Sequence, residues 1–185
     1  MSAMSDVEGS KPRWQKPVVG AAVAVAVILG ALYLRAPEST KVKLGMQAPD
    51  LPLVGERGGE QRLSTYRGRP VLLAFFMSDC EICQEEVPEL ELLHREFRTQ
   101  GLVVLGVSVD ADFAAYKSFL LKKNLTFGVF RDPGGTRILE YFGSYKLPEA
   151  YLIDATGQVA AVWLGSVRWR SQVIRERLTD VLPKP

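Results

Sequence analysis

Apolar residues follow two rhythms along this chain: some form short unbroken runs, and others recur at three- and four-residue steps. The unbroken runs read as buried strands. They are Val71–Met77 (VLLAFFM), Leu102–Val109 (LVVLGVSV), the short Thr126–Phe130, and Ala150–Ile153 with Gln158–Leu164 around the turn Asp154-Ala155-Thr156-Gly157. The stripes read as helices. Val87, Leu90, Leu93 and Phe97 carry one to about Arg98, with Pro88 inside it as a kink. Phe113, Tyr116, Phe119 and Leu120 mark a second over Asp112–Lys123, and a short third is expected over Gly135–Phe142. A closing helix over Arg170–Leu182 turns Val173, Ile174, Leu178 and Val181 inward. Ahead of the first long strand, Gln47–Gly68 carries Pro and Gly punctuation around Arg57-Gly58-Gly59, which predicts an N-terminal β-hairpin extension. Strands alternating with helices, then a hairpin and a helix, predict an α/β fold with a mixed central sheet flanked by helices.

One apolar run differs in kind. Val18–Leu34 holds seventeen residues without a charge, and as a helix it spans roughly 25 Å, enough for a bilayer core with little tilt. Trp14 and Tyr33 fall where interfacial aromatics sit. The residues that close it, Tyr33-Leu34-Arg35-Ala36-Pro37, offer no small-x-small cleavage site, so an uncleaved single transmembrane helix is expected rather than a signal peptide. The expected layout is a short cytoplasmic basic N-terminus at 1–17, an anchor at 18–34, a linker at 35–43 and a folded domain at 44–185.

Composition refines this picture in one respect. The apolar share of 47% and charged share of 24% are those of a globular protein. The net charge of +2 argues against a dedicated nucleic-acid binder, and the basic excess is confined to residues 1–43, where six Lys/Arg face three Asp/Glu. There is no internal repeat, and a monomer is expected.

The candidate chemistry lies where the first long strand meets the first helix. The only two cysteines, Cys80 and Cys83, follow Ser78-Asp79 there. A lone pair at this spacing is redox-active or metal-binding far more often than it is a staple. At i and i+3 in a first helical turn the two side chains share a face and can close a disulfide. The free N–H groups and positive dipole end of the helix favour a thiolate at Cys80, the species that attacks disulfides. Asp79 and Glu81 flank it with negative charge that opposes the dipole. A less stabilised thiolate points toward a reductant.

Together these residues resemble the thioredoxin fold, and within it the TlpA/ResA/CcmG family of membrane-anchored thiol–disulfide oxidoreductases, in the AhpC/TSA-like superfamily. The resemblance covers about residues 44–182. It is carried by Gln47-Ala48-Pro49-Asp50, Leu63-Ser64-Thr65-Tyr66-Arg67-Gly68, the cysteine pair at a strand-to-helix junction, Glu86-Val87-Pro88, Gly106-Val107-Ser108-Val109-Asp110, and Leu147-Pro148 ahead of Tyr151-Leu152-Ile153-Asp154. The resemblance implies that Cys80 is the exposed nucleophile and Cys83 the more buried resolving thiol. It implies that Pro148 is a cis-proline packed on the disulfide and that Glu86 is the active-site glutamate, tuning the thiols and relaying protons. From spacing alone, Glu86 stands i+3 from Cys83 and can neighbour it, or it is one more solvated helix glutamate beside Glu85 and Glu89. Leu147 and Glu149 flank the expected substrate groove; Glu149 either selects basic substrates or points to solvent. The chain departs from the pattern at Asp79, where Trp is usual, at Ile82, where Pro is common, and at Ala74, which replaces a buried Asp or Asn. With no carboxylate at 74, an internal base has to come from elsewhere, which favours Glu86.

The resemblance implies no metal and no organic cofactor. The partners it implies are protein disulfides and an unidentified electron donor in the membrane, with apocytochrome c cysteines or a copper-site assembly protein as substrates. A tethered dithiol makes most sense outside the cytosol, so the domain is expected on the extracytoplasmic, periplasmic side. Two rivals remain. A thiol peroxidase needs Thr or Ser three positions before its cysteine, where Met77 stands. A Cu(I)-binding module of the same fold needs a distant His, and the only histidine, His94, lies roughly 20 Å along the helix from Cys80. His94 reads instead as the edge of a packed helix face. Tyr141, Phe142 and Tyr145 either line a substrate groove ahead of Leu147-Pro148 or are core, and core is the commoner reading; Trp163 and Trp169 read as core.

Overall fold

A computed structural model describes residues 41–183. The expected basic N-terminus and anchor, and residues 35–40 of the linker, lie outside the described residues. Among the described residues no helix is long and apolar enough to cross a membrane.

The long apolar runs form the sheet. β1 (Pro52–Val54) and β2 (Glu60–Arg62) pair antiparallel as a separate two-stranded ribbon. The main sheet has the order β5-β4-β3-β6-β7, made of β3 (Val71–Phe76), β4 (Val103–Ser108), β5 (Gly128–Arg131), β6 (Glu149–Ile153) and β7 (Val159–Leu164). β3, β4 and β5 run parallel, while β6 and β7 run antiparallel to their neighbours, so the sheet is mixed. The helices are α1 (Glu81–Phe97), α2 (Phe113–Lys123), α3 (Thr136–Phe142) and α4 (Gln172–Val181).

β3 lies at the centre, and all six of its residues are buried. Alternation divides them between two cores. Leu72, Ala74 and Phe76 pack with Val87, Leu90 and Leu93 of α1 and with Ile174 and Leu178 of α4. Val71, Leu73 and Phe75 pack on the other face with Leu53, Ile138, Phe142 and Tyr151. Burial on both faces explains why the strand reads as a continuous apolar run. Each buried Leu or Phe contributes about 1.5–3 kcal/mol. Gly106 of β4 is held small by this packing, because a Cβ there would lie 2.9 Å from the Phe76 ring.

Several faces differ from the sequence expectation. Val173 is 65% exposed, because α4 turns only Ile174 and Leu178 fully inward. Phe113, at the start of α2, is half exposed, and the Arg131 guanidinium lies 4.9 Å from its ring centre. α1 continues through Pro88 to Phe97. Its first residue is Glu81, with Cys80 in the capping position just outside.

Candidate active site

The parallel strands all end on the same edge of the sheet, the edge where ligands meet open α/β sheets. β3 delivers the chain there to Met77-Ser78-Asp79, and this short loop is tied down from β4. Asp110 is buried and accepts from the Ser78 N–H at 3.0 Å, the Ser78 hydroxyl at 2.6 Å and the Ser108 hydroxyl at 2.6 Å. Gln84 of α1 donates its side-chain amide to the Ser78 carbonyl at 2.9 Å, closing the loop from the other side. The sequence marks Asp110 only as part of a motif; its anchoring role needs the β3–β4 pairing to be seen.

Cys80 follows as the N-cap of α1, with extended backbone, and its sulfur accepts the Cys83 N–H at 3.2 Å. This is the capping bond that Ser or Asp makes elsewhere, here made by sulfur. The two cysteines form a disulfide with their Cα atoms 5.2 Å apart. Cys80 is half-buried and Cys83 is 0% exposed, so an incoming sulfur can reach only Cys80. Asp79 and Glu81 are both exposed beside it.

The Leu147–Pro148 bond is cis. Pro148 is buried and lines a narrow cavity together with Cys83, Glu86, Ala74, Val167 and Trp169. Its carbonyl accepts the Gly165 N–H at 2.9 Å, which fastens the segment after β7 to the same spot. Leu147 is partly buried against both cores.

Glu86 is not a solvated helix residue: it is 6% exposed. Its carboxylate accepts from the Val167 N–H at 2.5 Å and from the Trp169 indole N–H at 3.0 Å. Burial pushes its pKa above the ordinary value; the donors from Trp169, Val167 and Ser166 oppose the shift, and the nearby charge of Glu89 adds to it. A carboxyl in this condition can hold or give up a proton beside a thiol. Trp169 is core, as its sequence context implies, at 1% exposed, but its polar edge belongs to the site. No local signal could reveal this, because it bonds a residue 83 positions earlier.

Glu149 borders the cavity beside Pro148 but does not point to solvent, which corrects that sequence reading. It opens β6 opposite Phe75, is 2% exposed, and accepts from the Ser144 hydroxyl at 2.5 Å and from the Tyr151 hydroxyl. Strand alternation sends its side chain to the Phe75 and Tyr151 face, while Pro148 and Ala150 face the cysteines. His94 stands apart from the site, packed edge-on to Phe127 at 6.2 Å between ring centres, and burial lowers its pKa.

The model of the AhpC/TSA family matches residues 44–162. The thiol-disulfide oxidoreductase ResA of Geobacillus kaustophilus is 33% identical over 146 residues, covering 79% of this chain and 82% of the relative. Among solved structures, a Chlorobium tepidum protein assigned as thiol:disulfide interchange protein DsbE superposes with TM-score 0.69 at 27% identity, covering 76% of this chain and 99% of that one. The thioredoxin domain of a thiol-disulfide oxidoreductase from Bacteroides vulgatus shares the fold, with TM-score 0.67 at 21% identity over 77% of this chain and 100% of that one.

Proposed function

The chain belongs to the AhpC/TSA family, in its thioredoxin-like TlpA/ResA/CcmG branch, and we propose that it reduces disulfides of extracytoplasmic proteins from a membrane-anchored position. It is a thiol–disulfide oxidoreductase working through Cys80 and Cys83. The observation that carries the proposal is the asymmetry of the pair: a reachable sulfur at the helix cap, bonded to one that is fully buried.

In the reduced protein the Cys80 thiolate attacks the substrate disulfide. One sulfur–sulfur bond breaks, a mixed disulfide forms, and the departing substrate sulfur takes a proton. Cys83 then gives its proton to Glu86 and attacks the Cys80 sulfur. The Cys80–Cys83 bond forms, and the second substrate sulfur leaves and is protonated. Two electrons have passed from the dithiol to the substrate, and the exchange balances between the two sulfur pairs alone. Pro148 presents backbone beside the disulfide for the substrate to pair with. An electron donor in the membrane returns the pair to its reduced form. Family analogy supplies the substrate class, the haem-attachment cysteines of apocytochrome c or a copper-site assembly protein. Residues 18–34 supply the anchor, and the domain works on the periplasmic side, where protein disulfides persist.

The deciding measurement is the reduction potential of the Cys80–Cys83 couple in thiol redox buffers. A value near or below roughly −220 mV is expected, and one near about −120 mV would make the protein an oxidant. If no disulfide forms in any buffer, the exchange mechanism fails and thiolate metal binding takes its place. Protease added to intact spheroplasts should digest the domain; full protection would overturn the periplasmic placement.

A further inference from the structure

The segment from Gly165 to Trp169 takes no part in sulfur exchange, yet it touches the site three times. Gly165 bonds Pro148, and Val167 and Trp169 each bond one oxygen of Glu86. Trp169 is 1% exposed, packs in the same cluster as Cys83 and Val87, and meets Trp163 edge-on at 5.3 Å between ring centres. An indole N–H can only donate, and a buried one needs an acceptor. Here that acceptor is a carboxylate whose other oxygen is already pinned by backbone.

Glu86 also borders two spaces. On one side is the inner cavity shared with Cys83 and Pro148. On the other is an open groove bounded by Glu85, Glu89, Ser166, Arg168 and Arg170. The charged and titratable groups around Glu86 are thus Cys83, Glu85 and Glu89 from α1, and Arg168 and Arg170 from the segment after β7. The sheet side presents Ala74, Phe76 and Ala150; Glu149 also borders the cavity, and its carboxylate is bonded to the Ser144 and Tyr151 hydroxyls.

From this arrangement we infer that Trp169 is a positioning residue for the resolving step. Its indole N–H holds the Glu86 carboxylate where it receives the Cys83 proton from the cavity and releases it to the groove. The inference rests on the reading of Glu86 as proton acceptor. The step balances: Cys83 S–H and Glu86 carboxylate become thiolate and carboxylic acid, the thiolate forms the Cys80–Cys83 bond, and Glu86 then loses its proton to water in the groove. A hydrogen bond to the carboxylate stabilises the charged form, so losing it raises the carboxyl pKa further.

The test follows two phases in the reduced full-length chain mixed with a bis(nitrothiobenzoate) disulfide, whose released thiolate is coloured. The first phase is attack by Cys80, and the second is resolution by Cys83. Trp169→Phe keeps an aromatic ring and removes the N–H. It should move the pH inflection of the second phase upward by about one unit or more, with the shift confined to that phase. Glu86→Gln should abolish the inflection, and adding Trp169→Phe to it should move nothing further. Uniform slowing by Trp169→Phe at every pH would reduce Trp169 to packing and overturn the inference while leaving the Glu86 reading intact. An unaltered profile in Glu86→Gln would instead overturn the Glu86 reading itself. If Trp169→Phe does not fold, benzothienylalanine at 169, which exchanges only the N–H for sulfur, carries the same expectation and the same counter-result.

Discussion

Glu86 and Glu91 stand five residues apart on α1, both buried, at 6% and 4% exposure, yet their surroundings set them to opposite tasks. Glu91 accepts from the Thr126 N–H at 2.8 Å, the Thr126 hydroxyl at 2.7 Å and the Arg95 guanidinium at 2.6 Å. Burial raises its pKa, but the Thr126 donors and Arg95 outweigh that cost, and the net shift is downward. Glu86 has only neutral donors, with Glu89 nearby adding like charge, and for it burial wins. Burial alone therefore does not make a carboxylate reactive. The two Thr126 donors, with Arg95 adding to them, hold Glu91 ionised as a clasp between the helix and the turn before β5. At Glu86 the donors do not outweigh burial and Glu89 adds to it, so the carboxyl stays free to change protonation.

The division of labour along α1 shows most sharply at its N-terminal, cysteine-bearing end. Cys83→Ser should stop turnover completely and trap the chain as a Cys80 mixed disulfide, visible by mass before and after reduction. Continued turnover would place the resolving thiol outside this helix. Next in size, Glu91→Ala should lower urea stability by about 1–2 kcal/mol, because it removes three hydrogen bonds to the carboxylate while water takes up the exposed Thr126 and Arg95 donors. The resolving rate should keep its wild-type value. Glu86→Gln should do the reverse, slowing resolution about a hundredfold at neutral pH while changing stability by about 1 kcal/mol or less. If both variants lose stability and rate together, the two carboxylates do not divide labour.

The smallest effect is the dependence of stability on pH. The folded pKa of Glu91 lies below its unfolded value, near 4.3, so its contribution is present above that pH and is lost as pH falls through the folded value. For Glu86 the folded pKa lies above the unfolded one, so its contribution is present below about 4.3 and is lost as pH rises through the folded value. Urea midpoints between pH 3 and 8 should show a flattened acid limb in Glu91→Gln and a flattened limb above about pH 4.3 in Glu86→Gln. Identical limbs in the two variants would erase the contrast.

The sheet strands and α1 were legible because their signals are local. An unbroken run such as VLLAFF and a stripe such as Val87, Leu90, Leu93 and Phe97 each lie within a few turns or a few strand residues. The cysteine pair was legible for the same reason. Faces were harder. The apolar run puts the strand start at Ala150, but β6 begins at Glu149, and in a strand a single position decides which layer a side chain enters. Val173 was counted with the inward stripe of a helix whose true phase puts Ile174 and Leu178 inside. What spacing could not supply were partners distant in sequence: Asp110 for the Ser78 loop, and Val167 and Trp169 for Glu86.

The bond from Trp169 to Glu86 also has a meaning for the order of synthesis. A ribosome makes the cysteines and Glu86 together, then adds β4 through β7 before the segment that clasps the carboxylate emerges. Over the 83 residues made between Glu86 and Trp169, the nascent domain carries a dithiol beside a carboxylate that has not yet been secured. Packing of the last strand and its following segment is the event that arms it, so a chain stopped short of Val167 would bear the cysteine pair and Glu86 without the segment that fixes the carboxylate in place.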